Sequence, residues 1–317
     1  MLGGYRFLLA ILVALSHFGF IYKGLNPGQW AVISFYFLSG YLMWMQFGKF
    51  NAQKELFGAS MTFYIDRFLR IFPLYLIVLS FMYLTLGGVD HLENYLLFPL
   101  SYHSLLGVKA EIFPAWSLAT EMHFYILVPF LFLASNKILK SVMWLSFMIF
   151  IISPFLSNST WWGYYGAPGT LFVFAAGMMF AKGLNIKPVL FASIVALAGF
   201  VIAKTFQPAL PCGINISVCL GMIFAALVVP VLSKLKGGKW DKNLGALTFP
   251  LFLIHPWVVE FFNFDNMLFL LLTSLVISWA LMAFIENPFD KLRYAVRKIL
   301  LGKSTSYSKT TNLPPET

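Results

Sequence analysis

The sequence predicts an all-α, polytopic membrane protein with about ten transmembrane helices and both termini in the cytoplasm. Three observations carry that prediction. Only 11% of the 317 residues are charged and 60% are hydrophobic, whereas a soluble domain carries about 25% charged residues, so too little polar surface exists to face water. Several apolar runs reach the roughly 18 residues that mark a membrane span, without the short in-out alternation of a β-barrel. Lipid-facing backbone must satisfy its own hydrogen bonds, and long uniform runs do so as helices. The third observation is the distribution of the cations, which gather in alternate loops.

The first run, at about 5–22, opens with Arg6 and stays apolar through Phe18, Phe20 and Tyr22. Its basic start and the small residues Ala14 and Ser16 also fit a cleavable signal peptide, but its full length favours a retained span. Asn26-Pro27-Gly28 breaks the chain before the second, at about 30–47. The third, at about 68–87, begins at a pair of arginines, carries Pro73 in or just beyond its opening turn, and stops at Gly87-Gly88. The fourth, at about 115–134, starts after Pro114. The others lie at about 140–156, 167–182, 188–205, 213–232, 246–262 and 266–285, with Gly237-Gly238 separating the eighth from the ninth. Residues 1–300 then form one ten-helix domain, and 301–317, polar and Pro-containing, a disordered cytoplasmic tail. There is no internal repeat. Cys212 and Cys219, seven residues apart, would stand about 10 Å apart along a helix, too far to bridge. No metal-ligand spacing and no Gly-rich phosphate loop is present.

The 22 basic residues fall almost entirely in alternate loops and the C-terminal segment. Lys49, Lys54, Arg67, Arg70, Lys137, Lys140, Lys182, Lys187, Lys234, Lys236, Lys239 and Lys242 share one side with Arg6 and with Lys291, Arg293, Arg297, Lys298, Lys303 and Lys309. Lys23, Lys109 and Lys204 fall on the other. The positive-inside rule places both termini in the cytoplasm. The net charge of +10 is mostly this topology signal, and no nucleic acid is expected as a partner.

Polar side chains inside apolar spans need a partner or a purpose, because a charge near the bilayer centre costs roughly 2.5–3.5 kcal/mol. Arg6 and His17 are eleven residues apart, which puts them on one helix face about 16 Å apart along the axis. Arg67 and Arg70, at i and i+3, share a face at a membrane entrance and suit bidentate contact with phosphate. Glu121 in "PAWSLATEMHFY" reads as the single acid well inside a span, at a depth close to that of His17. A carboxylate on an imidazole fixes its tautomer and raises its basicity, so Glu121 is the expected partner of His17, with Tyr125 one turn on supporting it. His123 points elsewhere and reads as structural. His255 in "FLIHP" either lines the same cavity or caps backbone freed by Pro256. Ser39-Gly40 permits close packing, and the Ser39 hydroxyl is a candidate for the site. Glu286 is expected to pair with a nearby cation. Trp161, Trp162, Tyr164 and Tyr165 suit either a sugar ring or interface anchoring.

Arginines at the cytoplasmic mouth and an imidazole deeper in the membrane are separated by about the length of a pantetheine arm. That suits a thioester donor entering from the cytoplasm, with its phosphates on Arg67, Arg70 and Arg6. His17 would take the proton of an acceptor hydroxyl as it attacks the thioester. Trp116, Ser39 and His255 are candidate donors to the oxyanion.

The motifs Arg6-x10-His17, "FYFLSGY" ending at Tyr41, "RFLRIFP" at 67–73, "WSLATEMHFY" at 116–125 and "FLIHP" at 252–256 resemble, in order, those of the acyltransferase-3 family of membrane O-acyltransferases. The resemblance covers residues 5–288. It implies a ten-helix core, acyl-CoA (acetyl-CoA by preference) as donor substrate with no bound cofactor, and a catalytic His17. It also implies binding of the donor by Arg67 and Arg70, with an envelope polysaccharide or lipid-linked sugar as acceptor at the bacterial inner membrane. The rival reading is a proton-coupled transporter, since intramembrane His and Glu also serve proton relays.

Overall fold

The computed structural model describes residues 1–21, 25–87, 92–263 and 266–302. Lys23, His91, Gly88 and the expected tail from Lys303 to Thr317 lie outside the described residues. All regular elements among the described residues are helical. They are α1 (Leu2–His17), α2 (Pro27–Asn51), α3 (Leu56–Leu86), the short α4 (Leu92–Leu96) and α5 (His103–Leu106), α6 (Ala115–Leu133), α7 (Asn136–Ile152), α8 (Ala167–Ala181), α9 (Lys187–Phe206), α10 (Gly213–Leu232), α11 (Lys239–Phe262), α12 (Met267–Leu281) and α13 (Asn287–Leu300). A π-helical turn, Met282–Glu286, joins α12 to α13, and another, Trp161–Tyr165, precedes α8.

Each of the ten expected apolar segments coincides with a helix over most of its length. Among the described residues seven helices are long and apolar enough to cross a membrane: α3, α6, α7 extended to Phe155, α9, α10, α11, and the run from Met267 to Leu300. Among the other three, α1 and α8 are short, at 16 and 15 residues, and α2 is long but diluted by Gln29, Ser34, Ser39 and Gln46. The third helix begins at Leu56, twelve residues before the expected start at 68. Arg67, Arg70 and Pro73 therefore stand inside α3, not at its entrance, and Asp66 joins Glu121 as an acid within an apolar helix. A segment with Asp66, Arg67 and Arg70 reads as a polar boundary by composition, yet the helix continues because those charges find partners in the fold.

The bundle is organised around α2, which packs against α1, α3, α6, α8 and α10. Its closest approach is to α8. A β-carbon at Gly40 would strike the Phe174 carbonyl, and one at Gly177 would strike the Phe37 carbonyl. The small residue expected to permit close packing therefore does so reciprocally, with glycine on both helices. The second such contact joins α1 to α11, where Gly3 rests on the Asp241 carbonyl and Gly245 lies 3.0 Å from the Gly3 Cα by its would-be β-carbon. The Gly4 N–H donates to Asp241 Oδ1 at 2.7 Å, so one carboxylate serves the open N-terminus of α1 while lying in the first turn of α11. Gly3 meets Asp241 and, fourteen residues on, His17 meets His255, both across the same 238-residue separation. The two helices therefore run parallel and in constant register.

Replacing Gly177 by Val forces a side chain against the α2 backbone, which has no rotamer to yield. Destabilisation by about 1–3 kcal/mol or more is expected. Gly199, whose would-be β-carbon meets nothing within 4 Å, is the control. Thermal unfolding of the purified protein in detergent should show a clear drop for Gly177→Val and none for Gly199→Ala.

Candidate functional site

A cavity of about 160 Å³ opens among α1, α2, α3, α6 and α11. Arg6, Arg67 and Arg70 all line it, together with Ser39, Glu121 and Tyr125. Three guanidiniums from two helices thus share one chamber, as the sequence spacing predicts for Arg67 and Arg70 and as the register of α1 adds for Arg6.

The three differ in how they are held. Arg67 Nη2 pairs with Asp66 Oδ2 at 2.5 Å, and the same oxygen accepts from Gln46 Nε2 at 2.7 Å. Asp66 is nearly fully buried, and Arg293 and Arg297 of α13 approach its other oxygen at 3.9 and 4.0 Å. Arg70 pairs with Glu286, the acid expected to find a cation, and reaches Asp290 at 3.4 Å. Arg6 makes no ion pair or hydrogen bond among the described residues, and its Nε is buried without a partner. Its neighbours include Gly245, whose missing side chain leaves room for the guanidinium.

Glu121 belongs to this chamber. Its Oε1 accepts from the Ser39 hydroxyl and from the Tyr125 hydroxyl, the latter at 2.7 Å, within electrostatic reach of Arg67 and Arg6. Tyr125 supports the carboxylate as the i, i+4 spacing implies. Ser39 commits its hydrogen to Glu121, so it is not a free donor for an oxyanion. Within the pair Ser39-Gly40, the glycine makes the packing contact and the serine faces the cavity.

The expected His17–Glu121 contact is not formed. His17 Nδ1 instead lies 2.7 Å from His255 Nε2, with the rings near parallel at 11° and centroids 5.0 Å apart. The edge of Phe113 closes the other side, 5.3 Å between centroids. Phe113 precedes α6, and Glu121 stands roughly two turns, about 10 Å, further along it. The two side chains miss each other because equal depth requires both helices to begin at equal levels, whereas His17 is the last residue of α1. His255 is fully buried, and its Nδ1 lies 2.9 Å from the Leu251 carbonyl. It faces His17 and bonds main chain at once, so of the two roles read from the sequence the structure shows the contact with backbone, while the cavity-lining role is not seen. Of α11, Phe252, three residues before His255, is among the residues that line the chamber, as are Val32 and Leu118 of other helices. Neither histidine lines the chamber.

Trp116 does not line it either. Its buried ring packs on Tyr164, Tyr165 and His103, with centroids 4.6–6.1 Å apart. Trp161 and Tyr164 are buried as well, and Trp161 Nε1 donates to the Ser101 carbonyl at 2.9 Å. These aromatic residues build the wall around α6, leaving Trp162 and Tyr165 half-buried. His123 is structural as expected, its Nδ1 2.8 Å from the Ala119 carbonyl. Sequence reasoning missed Asp66, Gln46, Arg293 and Phe252. Asp66 alone left a signal, an acid beside Arg67 in an otherwise apolar stretch.

The chain matches the family described as "Acyltransferase domain" over residues 2–285. It is also 29% identical over 201 residues, 57% of this chain and 89% of the relative, to an uncharacterised protein of Aquifex aeolicus (strain VF5). No solved structure matches it. With nearly the whole helical bundle inside the matched region, and with its apolar spans and motif residues in place, the chain belongs to the acyltransferase-3 family of membrane proteins.

Proposed function

We propose that this protein is a bacterial inner-membrane O-acyltransferase, by preference an O-acetyltransferase. It moves an acyl group from cytoplasmic acyl-CoA to a hydroxyl of a cell-envelope polysaccharide or a lipid-linked sugar. In this reading ten helices span the membrane and both termini are cytoplasmic, which puts the arginine chamber at the cytoplasmic mouth and the histidine pair toward the outer half.

One observation carries the reading: a chamber lined by three arginines lies about 16 Å along α1 from an imidazole on the same helix face. A buried guanidinium nitrogen without a hydrogen-bond partner, as Arg6 Nε is among the described residues, is costly unless an anion completes it. The phosphates of acyl-CoA supply such anions, and Arg67 and Arg70 offer further donors at the same wall. The chamber is smaller than the roughly 300–1,000 Å³ that encloses a drug-sized ligand, so it holds part of the donor while the nucleotide end stays in the mouth. The pantetheine arm then passes Phe252, Val32 and Leu118 to bring the thioester to His17.

The chemistry needs one base. The acceptor oxygen attacks the thioester carbonyl as His17 removes the hydroxyl proton. The new carbon–oxygen bond forms, the carbon–sulfur bond breaks, and the coenzyme A thiolate takes the proton back from the imidazolium. The products are an ester and free coenzyme A. Glu121, with Ser39 and Tyr125, serves the donor chamber by balancing the charge of Arg6 and Arg67, and is not the partner of the base.

The two ends of the site should separate in kinetics measured with labelled acetyl-CoA on membrane-inserted protein. His17→Ala is expected to lower kcat by roughly 10²–10⁴-fold with donor binding retained. Arg6→Ala breaks no hydrogen bond or ion pair seen among the described residues, so it should raise the KM for acyl-CoA about tenfold or more with a smaller effect on kcat. Unaltered transfer by His17→Ala would exclude it as the base.

Orientation is tested separately. Gly238→Cys and Gln207→Cys, both at exposed positions, are expected on opposite sides. A membrane-impermeant maleimide should label Gln207→Cys on intact spheroplasts and Gly238→Cys only after permeabilisation. The reverse pattern would invert the proposed topology.

A further inference from the structure

The geometry points to His255 as the positioning residue that sets which nitrogen of His17 acts as the base, through a relay running from the Leu251 carbonyl through His255 to His17. This assignment rests on the acyltransferase reading above and adds to it the device that replaces the expected carboxylate.

Counting hydrogens assigns both tautomers. A neutral imidazole carries one N–H and one bare nitrogen. The Leu251 carbonyl can only accept, so the 2.9 Å contact with His255 Nδ1 places the hydrogen of His255 there. His255 Nε2 is then a lone pair. The 2.7 Å contact between that nitrogen and His17 Nδ1 needs one hydrogen between them, and His17 Nδ1 must provide it. The remaining nitrogen of His17, Nε2, is left bare, and it makes no hydrogen bond among the described residues. A proton-accepting nitrogen is thus presented by a fixed ring. In hydrolytic triads a buried carboxylate holds the base in this way; here a main-chain carbonyl and a second imidazole do so, with no negative charge placed in the membrane.

The surroundings make the relay rigid. His255 is fully buried in α11, Phe18 meets its ring edge-on at 6.3 Å, and Phe113 meets the His17 ring edge-on. The Leu251 carbonyl, one turn back on the same helix, fixes the tautomer of His255. The constant register of α1 and α11 brings the rings to the same level.

The test uses full-length protein in lipid nanodiscs with ¹⁵N-labelled histidine, assigned by single-residue replacement. Ring nitrogen shifts report which nitrogen of His17 carries the hydrogen, without reference to activity. Wild type is expected to show His17 protonated on Nδ1 and bare on Nε2. His255→Leu removes the acceptor; it should redistribute that hydrogen and lower kcat by about 10²-fold, with the KM for acyl-CoA changed by less than about threefold. His255→Gln returns a carbonyl oxygen near the Nε2 position and should recover most of the loss and the Nδ1 hydrogen. A His17 ring protonated on Nε2 in active wild type overturns the proposal. So does a His255→Leu protein with the native tautomer, or a His255→Gln protein as impaired as His255→Leu at equal thermal stability. If His255→Leu fails to fold, the wild-type spectrum and His255→Gln decide alone. Wild type that shows the assigned tautomer but transfers no acyl group overturns the acyltransferase reading and leaves the relay standing.

Discussion

The parallel packing of α1 on α11 sets the positions of the arginine chamber and of the histidine pair. It depends on backbone meeting backbone: Gly3 lies on the Asp241 carbonyl, and Gly245 leaves space for both Gly3 and the Arg6 guanidinium. Any side chain at those glycines would separate the helices. Because both helices run in the same direction, a single register carries the contact from Asp241 at one end to His255 at the other. One helix then delivers a cation to the chamber and, three turns on, an imidazole to its partner ring. An α-helix is stiff over that length, so the spacing between the two groups is a covalent property of α1 and not a matter of loop conformation.

Charge in an apolar bundle is sustained by pairing. The cations of α3 and α13 and the acids Asp66, Glu286 and Asp290 interlock across the same end of the molecule. Asp66 and Glu286 each still present one buried oxygen without a hydrogen bond, so the network is electrostatically dense but not saturated. Such a network orders α13 against α3. Among the described residues Arg6 makes no ion pair or hydrogen bond, and its Nε is buried without a partner.

Apart from its polar groups the chamber is lined by aromatic and aliphatic residues, Phe252, Val32 and Leu118 among them, and the histidines lie outside it. The two places differ in environment. The arginine end favours anions; the histidine end favours a neutral ring, because burial of an imidazolium without a counter-charge is costly. An imidazole held by a second neutral imidazole and a main-chain carbonyl suits that place better than one sharing it with a carboxylate. Glu121 is accordingly found in the chamber with the guanidiniums, held by Ser39 and Tyr125.

By itself, the sequence determined the class, the helical content and the identity of the polar residues that enter the apolar bundle. Those follow from local rules: hydropathy over a span length, breakers at Pro and Gly, and the cost of a charge in lipid. It also determined that Arg6 and His17 share a face and that Tyr125 supports Glu121, since both relations lie within one helix. Tertiary structure alone decided which residues meet between helices. Periodicity states the direction of a side chain about its own axis but not the level at which another helix passes it. Hence Glu121 pairs with Ser39 instead of His17, His255 becomes the partner of His17, and α3 runs on through Asp66 because acids and arginines distant in the chain neutralise one another. Helix register is fixed by close packing at a few glycines, and a sequence read one segment at a time contains no measure of that.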